Sequence, residues 1–350
     1  MTVNGSSSRR QGVLARHKAL FVLLTLVGLM FAAVGVTAIY VNQRISAIPR
    51  MELDLGSEAG RDSALGDYQR PSPASGSAAG SVNILIAGVD AGESSRIAED
   101  LEKGPWVPGS HRSDTIMVLH ITADRSAAHL ISVPRDTWVP IDGYGMNKIN
   151  AALSYGGPAL FVRTMEQFTR LRMDHFVIVD WDGLMKLTDA FGGVELETAD
   201  NVGAATMNGE ETLEYVRERY SLPRGDLDRI QRQQNVVRAL FGQLSSSRTL
   251  FNPIKLTEVV QVLTDSIAVD NELTNQKMRE LVMSVRELRV GDITQVTVPV
   301  RAFGRIDGQS VVLVDQRGAR GLFRAAATDH FDDFLATNDV DTLPAPEEVD

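Results

Sequence analysis

Apolar runs of strand length follow one another in the first half of the chain. Residues 82–89, 114–121 and 127–133 are almost uninterrupted apolar segments, which is typical of strands buried in a sheet. The polar link between the second and third runs is short, so we predict an antiparallel hairpin there. Residues 175–181 predict a fourth strand.

Helical patterns are interspersed with these strands. Further predicted helices cover 158–171, 181–193, 209–217, 227–244, 253–267 and 274–289, and late strands cover 294–300 and 310–314. Strands mixed with helices favour an α/β fold. If strand 82–89 runs parallel to 127–133, the hairpin requires a mixed, partly antiparallel central sheet sandwiched by helices.

The N-terminal region predicts a membrane anchor. Residues 19–41 form a run of 23 residues without a charge, which as a helix is long enough to cross a hydrocarbon core of about 30 Å. A cleaved signal peptide is the alternative, but its apolar region usually has only about 7–15 residues. Four basic residues precede the run. We therefore predict one uncleaved transmembrane helix with a cytoplasmic N-terminus and an extracellular body.

The remaining composition divides the chain further. A Pro-, Gly- and Ser-rich stretch after the anchor predicts a flexible linker, and the acidic end from about Ala336 predicts a loose tail. The predicted segments are a cytoplasmic tail 1–18, a transmembrane helix 19–41, a flexible extracellular linker 42–80, a folded domain 81–332 with a motif core 82–245, and an acidic tail 333–350.

Overall composition excludes several kinds of site. The chain has no cysteine, and its six histidines lack the spacing of a zinc motif, so a thiolate site is excluded and a histidine metal centre is disfavoured. The net charge is −10, although the first 41 residues are basic. An acidic body argues against nonspecific binding to nucleic acid.

Charged residues at strand ends predict a common site. Asp90 follows the first strand, Asp114 opens the second, and Arg135 and Asp136 follow the third. In an antiparallel hairpin the start of one strand lies beside the end of the other, so Asp114 is predicted to neighbour Arg135. A first strand parallel to the third would bring Asp90 to the same place.

A fourth cluster, in residues 215–234, adds more arginines. Arg217 and Arg219 converge only if a helix ends near Arg217 and the chain then continues extended. Arg229 and Gln233 are four residues apart and share a helix face. Gly225 and Asp226 form a plausible start of that helix.

Arginines beside isolated carboxylates suggest a phosphate site with a divalent cation. Each guanidinium group binds phosphate oxygens through two hydrogen bonds, and two carboxylates are the usual protein share of a Mg²⁺ shell, with water and phosphate for the remainder. Structural alternatives stay open: Asp114 as a strand-start cap, Asp226 as a helix cap, and Asp136 as a residue that only orients Arg135.

The order of the motifs is more specific than any one of them. In chain order they are NILIAGVD, HRSDTIMV, SVPRDT, NKINAALSYGG, VDWDGLMKLTDAFGGVE and MNGEETLEYVRERYSLPRGDLDRIQRQQ. This series resembles the LytR–CpsA–Psr family of bacterial cell-wall ligases. The resemblance implies an extracellular, membrane-anchored transferase that moves a glycopolymer from a polyprenyl-pyrophosphate carrier to peptidoglycan through a phosphodiester.

The resemblance also implies roles for individual residues. The metal carboxylates, for Mg²⁺ or Mn²⁺, are Asp90 and Asp114. The pyrophosphate-binding residues are Arg135, Arg217, Arg219, Arg229 and Gln233. The catalytic residues are Asp114, Arg135, Asp136, Arg217 and Arg219, and the sequence leaves open whether Asp114 or Asp136 is the general base. Lys148 lies in a family motif without a firm role.

One departure concerns the interval between Asp90 and Asp114. The loop 91–112 is longer than is usual for the family, so Asp100 or Glu99 competes with Asp90 as a metal ligand. Further expectations are a lipid bilayer and a polyprenyl-linked glycan as partners, and an apolar channel for the lipid tail among the helices. The glycopolymer is open, with teichoic acid, capsule and arabinogalactan among the candidates. The alternative functions are a pyrophosphatase acting on the same lipid and a non-enzymatic envelope regulator.

The predicted topology can be tested on wall-stripped cells. Protease added outside should digest the domain after Val41, because all four early basic residues precede the apolar run and hold the N-terminus inside. A tag at the C-terminus should be lost on immunoblots. A tag that stays protected while a known external protein is digested would contradict this topology.

Overall fold

A seven-stranded sheet forms the centre of the protein, as seen in a computed structural model. The structure describes residues 39–53, 69–89, 93–199, 201–218, 221–246 and 252–350. The strands are β1 (Arg50–Met51), β2 (Val82–Val89), β3 (Thr115–Ile121), β4 (Ala128–Ser132), β5 (Trp138–Ile141), β6 (Gly145–Lys148), β7 (His175–Asp180), β8 (Val194–Thr198), β9 (Asn201–Met207), β10 (Ile267–Asp270), β11 (Ile293–Thr297), β12 (Val300–Ile306) and β13 (Gln309–Val314). The helices are α1 (39–46), α2 (Glu93–Lys103), α3 (Ala151–Thr169), α4 (Trp181–Phe191), α5 (Gly209–Arg217), α6 (Asp226–Leu244), α7 (Pro253–Asp265), α8 (Asn275–Ser284), α9 (Gln316–Thr328) and α10 (Phe331–Thr337).

The sheet is mixed, as the sequence predicts. Its strand order is β1-β10-β7-β2-β3-β4-β11. β3 is antiparallel to both β2 and β4, while β2 is parallel to β7 and β4 is parallel to β11. β2 and β4 therefore run in the same direction, and the predicted hairpin of β3 with β4 is confirmed.

Both faces of this sheet are covered, which explains why β2 is apolar at every position after Asn83. One face packs against α2, α3, α9 and α10 in the largest buried cluster, with Leu85, Phe161, Phe176 and Phe323 among its members. The opposite face meets α1, α6 and α8 in two smaller clusters. A separate apolar cluster joins α4, α6 and α7 with β8.

The segment predicted as a flexible linker is held to the domain over the parts that the structure describes. α1 leads into β1, which pairs in parallel with β10 and buries Met51 completely. Farther along, Arg70 forms an ion pair with buried Glu166 at 3.1 Å. The linker prediction is therefore wrong for residues 42–53 and 69–80, because backbone pairing and a buried charge pair fix them. Residues 54–68 lie outside the described residues.

Most of the predicted membrane anchor also lies outside the described residues. Only its last three positions, 39–41, are described, and they are helical. Among the helices of the described ranges, none has the length and apolar character that crossing a bilayer requires. The anchor at 19–41 stays a prediction.

The acidic C-terminal segment, expected to be loose, is packed. The backbone of Asp341 accepts a hydrogen bond from Thr297 at 2.8 Å, and Leu343 donates to Gln295 at 2.8 Å, so the segment covers the open edge of β11. Val349 is completely buried. The expectation failed because acidic composition does not report on the backbone groups of an edge strand that need partners.

Two buried histidines lie side by side at the end of the sheet where β2 begins. His120 of β3 pairs with His129 of β4, and the rings stack with centroids 5.8 Å apart. His120 also hydrogen-bonds Asn83 at 2.7 Å and Asp329 at 3.1 Å. Burial lowers the pKa of His129 to about 4, helped by the nearby His120, and burial also lowers the pKa of His120.

These shifts predict that acid destabilises the domain. The unfolded chain binds a proton at His129 near pH 6.5, whereas the folded chain resists protonation until about pH 4, so stability is lost as pH falls through this window. The loss reaches about 3 kcal/mol for His129 alone. Denaturant unfolding between pH 7 and 4 measures it, and His129→Gln should flatten the pH dependence. A matched change at exposed His330, His330→Gln, should leave it intact. An identical profile for His129→Gln and the unchanged chain would contradict the assignment.

Candidate functional site

Asp114 and Arg135 form an ion pair at the end of the sheet where β3 begins and β2 and β4 end. Asp114 lies just before β3, and its backbone N–H donates to Gly88 of β2 at 2.9 Å. Arg135 lies just after β4, and its guanidinium Nη1 donates to the Asp114 carboxylate. The predicted neighbourhood of these two residues is confirmed. Both side chains are partly accessible, so the pair can meet a ligand from solution.

Helix α6 brings a second arginine to the back of this pair. Arg229 and Gln233 are both buried and line a narrow cleft together with Asp114 and Arg135. The hydroxyl of Thr115 donates to the Gln233 side-chain oxygen at 3.2 Å, which ties α6 to the start of β3. Arg229 is ion-paired with Asp226 one turn earlier on the helix. The prediction that Arg229 and Gln233 share a face is therefore confirmed.

The start of α6 also decides between two interpretations of Asp226. Gly225 is the N-cap, with a φ of 59°, a left-handed value that favours glycine, and no side chain caps the helix. Asp226 is the first helical residue, and its carboxylate holds Arg229 instead. The interpretation of Asp226 as a cap is wrong, because its side chain is used for an ion pair inside the cleft.

An open cavity of about 410 Å³ lies in front of the Asp114–Arg135 pair. Asp136 lines the same cavity and forms an ion pair with Lys148 at 3.1 Å. The cavity thus contains two ion pairs, Asp114–Arg135 and Asp136–Lys148. The alternative that Asp136 orients Arg135 does not hold, since its partner is Lys148 and that of Arg135 is Asp114.

Polar and aromatic groups complete the cavity wall. Asn147 donates from its amide to the Tyr155 hydroxyl at 3.0 Å, and Tyr155 stacks on Tyr144 with ring centroids 4.6 Å apart. Gln309 and Ser310, at the start of β13, line the opposite side. Such hydrogen-bonding groups beside an aromatic pair suit a hydroxyl-rich ligand.

The hairpins that carry these wall residues were missed by the sequence predictions, which gave only the strand 310–314, within β13. β5 pairs with β6 and β12 pairs with β13, and each pair is joined through an Asp-Gly step, at 142–143 and 307–308. At the second step both residues have left-handed backbone, with φ of 50° and 78°. An Asp-Gly pair between apolar segments is a strong hairpin signal and was readable in the sequence.

Helix α3 begins earlier than predicted. The expected start at Pro158 is the start of its second part, and the chain is kinked at Gly156 and Gly157. The preceding turn, from Ala151, carries Ser154 and Tyr155 into the cavity. Pro158 correctly predicted the start of the second part of α3, but the helical turn before it was not predicted.

One described residue that the resemblance implies, Arg217, is not brought to the cavity. Arg217 ends α5 on an exposed position and does not line the cavity or the cleft. The predicted helix end there is confirmed, since Glu218 is already extended. Arg219 and Asp90 lie outside the described residues, so their predicted roles stay predictions.

The loop 91–112 contains a helix and does not supply the competing carboxylates. α2 buries Ile97 and Ala98 against the sheet. Asp100 accepts from His111 at 3.1 Å, a hydrogen bond that lowers the pKa of Asp100, and Glu99 pairs with Lys103. Neither carboxylate lines the cavity, so the structure does not support the alternative metal ligands Asp100 and Glu99.

The donor set beside Arg135 fits a magnesium ion that shares its shell with a substrate. Within the described ranges, no group of three or more His, Cys, Asp or Glu residues could hold a metal alone. Mg²⁺ usually takes only one or two carboxylates, with water and phosphate oxygens for the remainder. Asp114 at the cavity wall meets that demand for one carboxylate.

Comparison with known proteins agrees with the motif order. The model of the LytR–CpsA–Psr family (LytR_cpsA_psr) matches residues 56–327. The chain belongs to this family. The match includes the Asp114–Arg135 pair, α6 and both hairpins of the cavity wall, so these LytR–CpsA–Psr elements belong to one family domain.

Individual relatives give the same result. The probable cell wall biosynthesis protein LcpB of Corynebacterium glutamicum is 35% identical over 254 residues, covering 69% of this chain and 60% of LcpB. The polyisoprenyl-teichoic acid–peptidoglycan teichoic acid transferase TagU of Enterococcus faecalis is 29% identical over 245 residues, covering 67% of this chain and 75% of TagU. The chain thus spans less than two thirds of the length of LcpB.

A solved structure shares the fold. The structure of TagT bound to LIIa-WTA superposes with a TM-score of 0.57 at 20% identity, covering 80% of this chain and 99% of TagT. At this identity the likeness establishes the mixed α/β fold, with its central sheet flanked by helices.

Gly88 offers a test of how tightly this site is built. A Cβ at Gly88 would lie 2.9 Å from the Thr115 Cβ and 3.1 Å from the Trp181 Nε1, both too close. Gly88→Ala should therefore shift the start of β3, weaken the Thr115–Gln233 bond and destabilise the domain by about 1–3 kcal/mol. Thermal unfolding measures the loss.

Another strand glycine supplies the control. At Gly304 of β12 the nearest atom to a new Cβ lies at 3.6 Å, an ordinary contact, so Gly304→Ala should be tolerated. Equal unfolding temperatures for the two variants would show that close packing at Gly88 does not hold the site.

Proposed function

We propose that this protein is a membrane-anchored extracellular phosphotransferase that moves a glycopolymer from a polyprenyl-pyrophosphate carrier to peptidoglycan. The observation that carries the proposal is the cavity in which the Asp114–Arg135 and Asp136–Lys148 pairs meet, with Arg229 buried behind them. The similarity to TagU, which is named as a polyisoprenyl-teichoic acid–peptidoglycan teichoic acid transferase, supports the same reaction. Teichoic acid is therefore the first glycopolymer to test.

The charges of the site suit a pyrophosphate. A diphosphate that enters the cavity reaches Arg135 at the wall, and the cleft behind it leads to Arg229. Guanidinium groups bind phosphate oxygens through two parallel hydrogen bonds. The carboxylates of Asp114 and Asp226 partner these arginines and keep their charges compensated.

The reaction joins an acceptor hydroxyl to the phosphorus that bears the glycan. The hydroxyl oxygen forms the new P–O bond, the bond to the bridging oxygen of the pyrophosphate breaks, and polyprenyl phosphate leaves. Negative charge grows on that leaving group, and the arginines stabilise it. Asp136 lies at the same cavity wall and accepts the proton of the hydroxyl in this scheme.

A magnesium ion would be held by Asp114, together with Asp90 from outside the described residues. When bound, it would neutralise charge on the pyrophosphate oxygens. Asp114 is the partner of Arg135, and on binding the metal its carboxylate would exchange one cation for another.

Water as the acceptor would make the protein a pyrophosphatase. The open cavity and its wall of Asn147, Tyr155 and Gln309 favour a larger, hydroxyl-bearing acceptor instead. Product analysis separates the two reactions, since hydrolysis releases free phosphoglycan and transfer yields glycan joined to peptidoglycan.

The anchor belongs to the same proposal. Residues 19–41 would span the cell membrane with the N-terminus in the cytoplasm, and α1 would continue from the membrane into the extracellular domain. This placement is supported by the helical state of residues 39–46 and by the basic residues before the apolar run. It would bring the site next to a lipid-linked donor.

Substitutions of Arg135 test the reaction. A charge-assisted contact to phosphate contributes about 1.5–3 kcal/mol, so Arg135→Ala should slow formation of glycan-linked peptidoglycan by about ten- to a hundredfold. Arg135→Lys should also be impaired, because lysine lacks the paired donors of the guanidinium. Transfer is measured with a synthetic polyprenyl-pyrophosphate glycan and isolated peptidoglycan.

A surface arginine provides the matched control. Arg305 on β12 is exposed and hydrogen-bonds only within its own hairpin, to Gly308 at 3.2 Å, so Arg305→Ala should transfer normally. Normal transfer by both Arg135 variants would refute the proposed site, and a regulator without enzyme activity would give no product with any variant.

A further inference from the structure

Four large apolar side chains are exposed at the end of the domain where α1 begins. Ile39, Ile254, Val282 and Met283 are 57–79% exposed. They come from three separate helices, α1, α7 and α8. Isolated apolar residues on a surface need no explanation, but a group on one end of a molecule does.

Contacts with α1 fix the directions of the two other helices. Asn275 of α8 hydrogen-bonds Ser46 at 2.8 Å, and Arg279, one turn later, bonds Asn42, one turn earlier on α1. α8 is therefore antiparallel to α1. At a rise of about 1.5 Å per residue, the last turn of α8, with Val282 and Met283, lies level with Ile39.

α7 runs the other way and reaches the same end. The hydroxyl of Tyr40 donates to Gln261 at 3.0 Å, and Arg44, one turn later, pairs with Asp265, one turn later on α7. α7 is thus parallel to α1, so its first turn, with Ile254, lies on the side from which α1 starts. The beginning of α7 and the end of α8 therefore lie at the end of the domain from which α1 starts.

We propose that this end of the domain docks on the outer surface of the lipid bilayer, with Ile254, Val282 and Met283 in the interfacial layer beside the anchor. The inference rests on the proposed anchor at 19–41, since that run ends at the level of these side chains. Apolar side chains on a polar helix surface bind the boundary between headgroups and acyl chains.

The packing of α8 agrees with this assignment. Its inner side chains Met278 and Leu281 contact buried clusters of the domain, whereas Val282 and Met283 point away. Arg286 and Glu287, which follow α8, are both exposed and pair with each other, so the charges there do not select a polyanion. The exposed apolar side chains are the groups of this surface that would bind a partner, and the interfacial layer of a bilayer suits them.

Docking would fix the height of the functional site above the membrane. α1 and β1 connect the anchor directly to the sheet, so the tether between them is only a few residues long. The cavity with Asp114 and Arg135 would then keep one orientation toward lipid-linked donors and would not sample all angles.

Site-directed spin labelling of the full chain tests the proposal, because the protein contains no native cysteine. Ile254→Cys, Val282→Cys and Met283→Cys are labelled with a nitroxide in phospholipid vesicles. The accessibility of each label to oxygen, which concentrates in lipid, is compared with its accessibility to a water-soluble nickel chelate. Phe303→Cys is the matched control, since Phe303 is exposed to the same 57% as Met283 but lies on the hairpin after β11, at the opposite sheet edge from β1.

Labels at the three docking positions should show an oxygen-to-nickel ratio several-fold higher than the label at Phe303. Ratios equal to the control at Val282 and Met283 would overturn docking, and so would low access to both reagents, which would mean that protein covers this surface. A label at Ile39→Cys reports on the anchor itself. A chain that does not sediment with vesicles would overturn the anchor, whereas a lipid-exposed label at Ile39 with aqueous labels at Val282 and Met283 would overturn docking alone.

Discussion

The functional site depends on the reversal of strand direction at β3. Because β3 is antiparallel to both neighbours, its first residues lie between the carboxyl ends of β2 and β4. In a purely parallel sheet, the segment before β3 would lie at the amino ends of the strands, far from Arg135 at the carboxyl end of β4. The backbone hydrogen bond from Asp114 to Gly88 fixes the start of β3 to β2, and the side-chain hydrogen bond from Thr115 to Gln233 fixes it to α6. The reversal therefore assembles residues from separate parts of the chain.

Charge compensation organises the functional site. Two arginines and a lysine at the cavity and its cleft are each paired with a carboxylate: Arg135 with Asp114, Arg229 with Asp226 and Lys148 with Asp136. An uncompensated buried charge is costly, so these carboxylates stabilise the fold until an anionic ligand replaces them. A diphosphate can offset the free energy lost when these ion pairs break, because it presents several oxygens to the arginines at once. A neutral sugar carries no negative charge that could replace the carboxylates. We therefore expect the phosphate groups to determine binding.

Much of the fold and part of the site were predictable from local signals. The strands β2, β3 and β7 were found nearly to the residue because sheet burial on both faces makes their sequences continuously apolar. The Asp114–Arg135 contact followed from hairpin geometry alone. The cavity wall was not predicted, since its hairpins are short and half-exposed and were recognisable only from their Asp-Gly turns. The fixed positions of residues 42–53 and of the C-terminal segment come from long-range backbone pairing, which composition does not record.

Direct observation of the bound donor tests the central claim, that this cavity and its cleft hold a pyrophosphate. We would determine the crystal structure of the protein with a short-chain polyprenyl-pyrophosphate analogue. Phosphate oxygens should lie within hydrogen-bonding distance of the Arg135 guanidinium, with its ion pair to Asp114 opened or shared with a cation. A pyrophosphate bound elsewhere, with the Asp114–Arg135 pair unchanged and the cavity filled by solvent, would contradict the account.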